Sequence, residues 1–105
     1  MQMPLAFLKQ VQFEEEVARV ARNLAPDVVE VIPSLREDWT GEPAAFFMVI
    51  LSDSAAQRDR LPGLTNRVTR TIDEQLEPME RWGVFSYFNF RSQSEQARFA
   101  QPALA

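Results

Sequence analysis

The carboxylates Asp38, Glu42 and Asp53 are the nearest approach to a reactive cluster in this sequence. Carboxylates by themselves can hold a hard cation, or act as an acid–base pair on a glycoside. Their spacing opposes both. Asp53 follows the apolar run Ala44–Leu51, and a strand of that length carries it about 30 Å from Glu42. The chain contains no histidine and no cysteine. It therefore lacks the usual proton shuttle, the thiolate nucleophile, and the nitrogen and sulfur ligands of a transition metal. A Ser–His–Asp or Cys–His device cannot be built. The only glycines are Gly41, Gly63 and Gly83, so no glycine-rich phosphate cradle can be written. The residue types read as a non-enzymatic chain with no catalytic residue, no metal and no cofactor. Hydrolysis through Asp38 and Glu42 is the weakest of the readings that remain.

Contact chemistry is better represented. Asp38, Trp39 and Glu42 fall in the segment Glu37–Pro43, where a large apolar ring sits among carboxylates. Trp is over-represented in binding hot spots. It can equally fold down as a cap on a sheet end, and its residue type alone leaves both roles open. A second group is Tyr87, Asn89 and Arg91, which alternate with Phe88 and Phe90 and so share one face of a strand. They suit either recognition of a partner or a plain solvent face.

Apolar periodicity supplies the elements that must position these residues. Phe13, Val17, Val20 and Leu24 recur at helical spacing and predict a helix over about residues 5–24, with Pro26 as its stop. Leu5, Leu8 and Val11 either extend that stripe or belong to a separate arm. A strand is expected at about 28–36, with Pro33 marking an edge or a bulge. A second strand, about 44–52, is apolar on both faces and reads as the central one. The seven residues between them form a hairpin loop turning at Thr40-Gly41. Leu61, Leu64, Val68, Ile72 and Leu76 predict a helix over about 58–77, with Asp59 as N-cap. The aromatic run 84–90 predicts a third strand.

The resulting fold is α+β: a two-layer αββαβ sandwich, with a three-stranded mixed sheet and two helices on one face. The hairpin strands should pair antiparallel, and the third strand should run parallel to its neighbour after the helical crossover. Residues 1–105 read as one domain, with a core at about 5–91 and a tail at 92–105. Two helices cover only one row of the central strand. The rows are Phe46, Met48 and Ile50 on one side and Phe47, Val49 and Leu51 on the other, and whichever the helices leave bare must meet a second copy, another protein or the tail.

The net charge is −4, which disfavours general nucleic-acid binding. Arg60, Arg67 and Arg70 nevertheless form a local basic stretch on the second helix. The element order is close to that of K-homology-like domains, so RNA binding through these arginines is the alternative reading. Against it stand Asp73, Glu74 and Glu77 on the same helix, and Arg60-Leu-Pro-Gly63 supplies a single glycine where those domains use two. No stretch resembles a membrane span or a signal peptide, and a cytoplasmic, membrane-free protein is expected.

The strings Arg36-Glu-Asp-Trp-Thr-Gly-Glu-Pro-Ala44, Phe47-Met-Val-Ile-Leu-Ser-Asp53 and Tyr87-Phe-Asn-Phe-Arg-Ser92 resemble a group of small uncharacterised bacterial proteins of αββαβ type. Some of these are encoded beside HEPN-type toxin-like partners. The similarity covers most of residues 13–93. It implies a toxin–antitoxin or other partner-binding role and carries no catalytic signature. The element order is also similar to the cytoplasmic domains of cation-diffusion transporters, a likeness of fold alone. The function expected is that of a small protein-interaction module, self-associating or bound to a partner protein.

Overall fold

The computed structural model describes residues 3–100. Its elements are α1 (Leu5–Leu8), α2 (Gln10–Arg22), β1 (Val28–Glu37), β2 (Pro43–Leu51), α3 (Leu61–Leu76), α4 (Pro78–Trp82), β3 (Phe85–Ser92) and α5 (Gln93–Ala100). The sheet order is β1-β2-β3, antiparallel then parallel, so the doubly apolar strand is the central one. This is the α+β sandwich with a mixed three-stranded sheet that the periodicity predicts. Pro33 lies on edge strand β1, where its missing N–H leaves no central ladder bond unmade.

Alternation along β2 divides its side chains into two rows. Ala45, Phe47, Val49 and Leu51 join Phe13, Val17 and Val20 of α2 and Leu64, Val68, Ile72 and Leu76 of α3 in one buried cluster. Phe13 lies at its centre, 5.2 Å from the Trp82 ring and 6.3 Å from the Phe47 ring. The opposite row, Ala44, Phe46, Met48 and Ile50, lies outside that cluster, on the face opposite α2 and α3. Register places Arg36 and Ser34 of β1 beside Ala44 and Phe46 there, and Tyr87, Asn89 and Arg91 of β3 beside Phe46, Met48 and Ile50.

Several boundaries differ from the sequence expectation, each for a local reason. The first helix is broken at Lys9, whose backbone (φ −127°, ψ 58°) leaves the helical region. The break turns Ala6 and Phe7 toward the core and leaves Leu5, Leu8 and Val11 exposed, so these three do not extend the buried stripe. Helix α2 stops at Arg22, before Pro26, because the chain tightens to three-residue bonds at Asn23 and Leu24. Helix α3 starts at Leu61 with Arg60, not Asp59, in the cap position. Gln57 O accepts from both Arg60 N and Leu61 N at 3.0 Å, so a backbone turn leads into the helix with no side-chain cap. The hairpin loop is shorter than expected, residues 38–42, because Glu37 and Pro43 already pair in the sheet.

The tail is structured as far as the described residues extend. Strand β3 runs on to Ser92, and α5 follows immediately. Ser92 and Glu95 form a reciprocal capping box: Glu95 N donates to Ser92 Oγ at 3.1 Å and Ser92 N to Glu95 Oε1 at 3.0 Å. Asp53 fixes the same helix start, accepting from Ser94 N at 3.0 Å and Ser94 Oγ at 2.6 Å. Those bonds hold the Asp53 carboxyl below its usual pKa. Arg91 leaves the open face for α5, donating to Gln96 at 3.1 Å and lying 4.2 Å from the Phe99 ring centre. Residues 101–105 of the expected tail lie outside the described residues.

Candidate interaction site

The hairpin loop is organised by Asp38, a residue only 9% exposed. Its Oδ1 accepts from Thr40 Oγ1 at 2.6 Å, Thr40 N at 2.9 Å and Glu42 N at 3.0 Å. Its Oδ2 accepts from the Tyr87 hydroxyl at 2.7 Å. The Asp38 main chain closes the same turn, with its N–H on Glu42 O at 2.8 Å and its C=O receiving Gly41 N at 3.0 Å. Gly41 has φ +86°, a conformation open to glycine at little cost. Short polar side chains that bond to nearby main-chain groups are the usual makers of such turns. Here one carboxylate also ties the turn to a strand far away in sequence.

The electrostatics follow from these donors. Hydrogen bonding, first from the Thr40 hydroxyl and then from Tyr87 and the loop N–H groups, lowers the Asp38 pKa to about 2 despite burial. The same bond raises the Tyr87 pKa, because the neutral phenol is the donor and its anion would face the carboxylate. Asp38 is thus an ionised brace whose lone pairs are engaged. It is not free to serve as a general base, and the hydrolytic reading through Asp38 and Glu42 loses its motive. As a contact candidate, Asp38 faces inward and holds the loop, while Trp39 and Glu42 face out.

Trp39 is 79% exposed, so it does not cap the sheet end. Its ring leans on Tyr87 at 5.1 Å, tilted by 55°. Tyr87 in turn stacks on Phe46 at 5.0 Å and 20°, and the Arg36 guanidinium covers Phe46 at 3.6 Å. The result is a row across the open face: Arg36 from β1, Phe46 from β2, Tyr87 from β3 and Trp39 from the hairpin loop. Asn89 is exposed beside Met48 and continues the face. Arg91 is half-buried by its contacts with α5, so it belongs to the join between sheet and helix. Ile50, beside Arg91, is 2% exposed. The open face is therefore closed at the α5 end and accessible at the Trp39 end.

Arg36 is not legible in the sequence as a contact residue, and Phe46 is legible only as one member of an apolar row. That Arg36 reaches it depends on a cross-strand register that periodicity does not fix.

The arginines of the alternative reading lie elsewhere. Arg60 and Arg67 both pair with Asp27, at 3.0 and 2.8 Å, and lower its pKa. Two of the three guanidinium groups thus already face a carboxylate, while Arg70 is exposed. Among the described residues no cluster of acidic side chains converges as a metal site, and Asp53, engaged with Ser94, is separated from Asp38 and Glu42 by the length of β2. Among the same residues no helix is long and apolar enough to cross a membrane.

Fold and site together define a two-layer α+β protein with an aromatic row across its open sheet face. Compared with family models, curated proteins and solved structures, the chain has no match.

Proposed function

We propose that this chain is a non-enzymatic interaction module that binds a partner protein through the Trp39 end of its open sheet face, and self-associates through the same face when no partner is bound. The observation that carries this reading is the exposed Trp39 ring, held in place by the Asp38 turn and the Tyr87 ring. A large aromatic contributes about 1.5–3 kcal/mol when buried. A ring that is already positioned loses less conformational freedom on binding than a free one. Glu42 and Asn89 flank the row as polar rim groups, and Tyr87 and Phe46 supply its floor. The resemblance to αββαβ proteins encoded beside HEPN-type toxin-like partners supports an antitoxin-like role in a bacterial cytoplasm. The pairing of Arg60 and Arg67 with Asp27 weighs against RNA as the main ligand.

The test is a tagged pull-down from the native cell, split into nuclease-treated and untreated halves, with light scattering of the purified chain alongside. The reading expects a stoichiometric protein that survives nuclease and is lost from Trp39→Ala, or a dimer that the same substitution dissociates. A strict monomer at high concentration with no stoichiometric protein partner sinks it. Material that elutes with high 260 nm absorbance and disappears with nuclease would hand the function to RNA.

A further inference from the structure

The two edges of the sheet are built differently. On one side β1 carries the devices that keep an edge from pairing. Pro33 interrupts it, its register is irregular at Val28/Glu30, and Glu30, Arg36 and Glu37 lie along it. On the other side β3 has no proline and keeps an unbroken register from Phe85 to Ser92. Its only charge, Arg91, is engaged with Gln96 and Phe99 of α5. Among the described residues, no main-chain group from Phe85 to Arg91 has a main-chain partner other than β2. An edge strand turns the N–H and C=O groups of alternate residues outward, so β3 presents an unfilled ladder.

The side chains of β3 are incomplete in the same sense. Phe88 and Phe90 face the side of α2 and α3, in register with Phe47 and Val49, yet both are only partly buried. Phe85, on the opposite side, is 44% exposed. One more strand beside β3 would fill the ladder and extend the cover over these rings. Strand β1 of another copy fits poorly, because Pro33 and the irregular register interrupt the row of groups it would offer. That head-to-tail contact would also run on as an open filament. Strand β3 of another copy offers an uninterrupted row, and its pairing closes as a two-fold dimer.

We propose that a second copy of this chain pairs with the first through antiparallel β3 strands, with the two-fold axis at Asn89. In that register Phe88 lies opposite Phe90 of the second copy, Tyr87 opposite Arg91, Ser86 opposite Ser92, and Asn89 opposite Asn89. Aromatic meets aromatic on the side of the helices, and no charge meets a like charge. On the open side the Asn89 amide, which both donates and accepts, faces its own kind. An axis at Phe88 would instead set Phe90 against Ser86 and the Arg91 charge against Phe85. The joint uses the sheet edge and not the open face, so it is separate from the Trp39 contact and does not rest on it. It joins two three-stranded sheets into one, with both Trp39 rings on the same side.

Light scattering of the purified chain should find a dimer. Asn89 is exposed, so a charge there should leave the fold, read by circular dichroism, unchanged. Asn89→Lys and Asn89→Asp each bring like charges together on the axis, and each should weaken the dimer at least about fivefold. An equimolar mixture of the two variants should recover it, which requires that this position lie opposite itself. Trp39→Ala should leave this dimer intact. The chain has no cysteine, so Asn89→Cys under mild oxidation should give a disulfide-linked dimer, with Cα atoms about 4.5–5.5 Å apart across the axis. A monomer at high concentration, a dimer that both charged variants leave intact, or a mixture that fails to recover it overturns the inference. A dimer lost with Trp39→Ala but kept with Asn89→Lys would assign self-association to the open face and overturn the edge joint alone. If the chain is monomeric and Asn89→Lys abolishes capture of a protein partner, the edge takes that partner's strand and the second copy is overturned.

Discussion

The Tyr87 hydroxyl donates to Asp38 Oδ2 at 2.7 Å, joining the tip of the β1–β2 hairpin to strand β3. Since β3 pairs only with β2, this bond spans the sheet at the end where the open face is accessible. It sets the tilt of the ring on which Trp39 leans. Tyr87→Phe keeps that ring and deletes only the donor. It should lower the melting temperature by a few degrees and increase hydrogen exchange at Thr40 and Glu42, while the sheet amides stay protected. Unchanged exchange in the loop would mean that the local main-chain bonds hold the turn without help from β3.

Acid should loosen the same loop. The folded-state pKa of Asp38, about 2, lies below its ordinary value of 3.8. A depressed carboxyl contributes stability that is complete above its unfolded pKa and is lost as pH falls through its folded pKa. The window for Asp38 therefore runs from about pH 4 down to about pH 2. Glu16, Asp27, Asp53 and Glu95 are also lowered and add to the acid side of the profile. Asp38→Asn should be less stable at neutral pH and should show a shallower loss between pH 4 and 2. Melting curves of both proteins across that range would check it.

Trp39→Ala should separate binding from folding. The side chain is largely exposed, so its removal should leave the melting temperature within a few degrees of the parent. Partner capture or self-association should fall at least about tenfold if Trp39 is a hot spot. Unfolding of the variant would show that the ring is structural.

The glycines make a different test. Gly41 and Gly83 both have positive φ, but a Cβ at Gly41 meets open space whereas one at Gly83 would lie 3.3 Å from Pro4 Cβ. Gly41→Ala should cost about 1 kcal/mol, the backbone penalty alone. Gly83→Ala should cost more, because the start of α1 must also shift away. Chemical denaturation of the two variants gives the comparison, and equal costs would show that α1 yields freely.

The Asp27 cluster should matter little for stability. Its arginines are about half exposed, so Asp27→Asn should cost about 1 kcal/mol or less and lose its effect at high salt. The same substitution frees Arg60 and Arg67. If it creates salt-sensitive RNA binding absent from the parent, Asp27 is what suppresses that activity.

Short-range pattern was enough to define the layers of this protein. The doubly apolar run at 44–51 reads as a covered strand, and the stripes Phe13–Val17–Val20 and Leu64–Val68–Ile72–Leu76 read as helix faces turned to a core. The order of those elements, with one hairpin and one crossover, then settled the pairing of the strands. Even α5 carried a legible signal in Ser92 and Glu95, the two ends of a capping box. These features depend on residues within a turn or two of one another, whose preferences act wherever the chain goes.

The candidate site was legible only as residue types. Trp39 and Tyr87 could be named, but not whether the tryptophan lay against the core or in solvent. Asp38 stood out as a loop carboxylate like its neighbours, yet it alone turns inward, because Tyr87 brings it a donor from the other side of β2. Arg36 covers Phe46 only because the register sets Ser34 opposite that ring and leaves the arginine one step diagonal to it. Arg60 and Arg67 meet Asp27 for the same kind of reason. Local periodicity is fixed by neighbours along the chain. The direction of a polar side chain is fixed by whichever donor, acceptor or ring the tertiary structure brings within about 3–6 Å of it, and that is decided only when the sheet has formed.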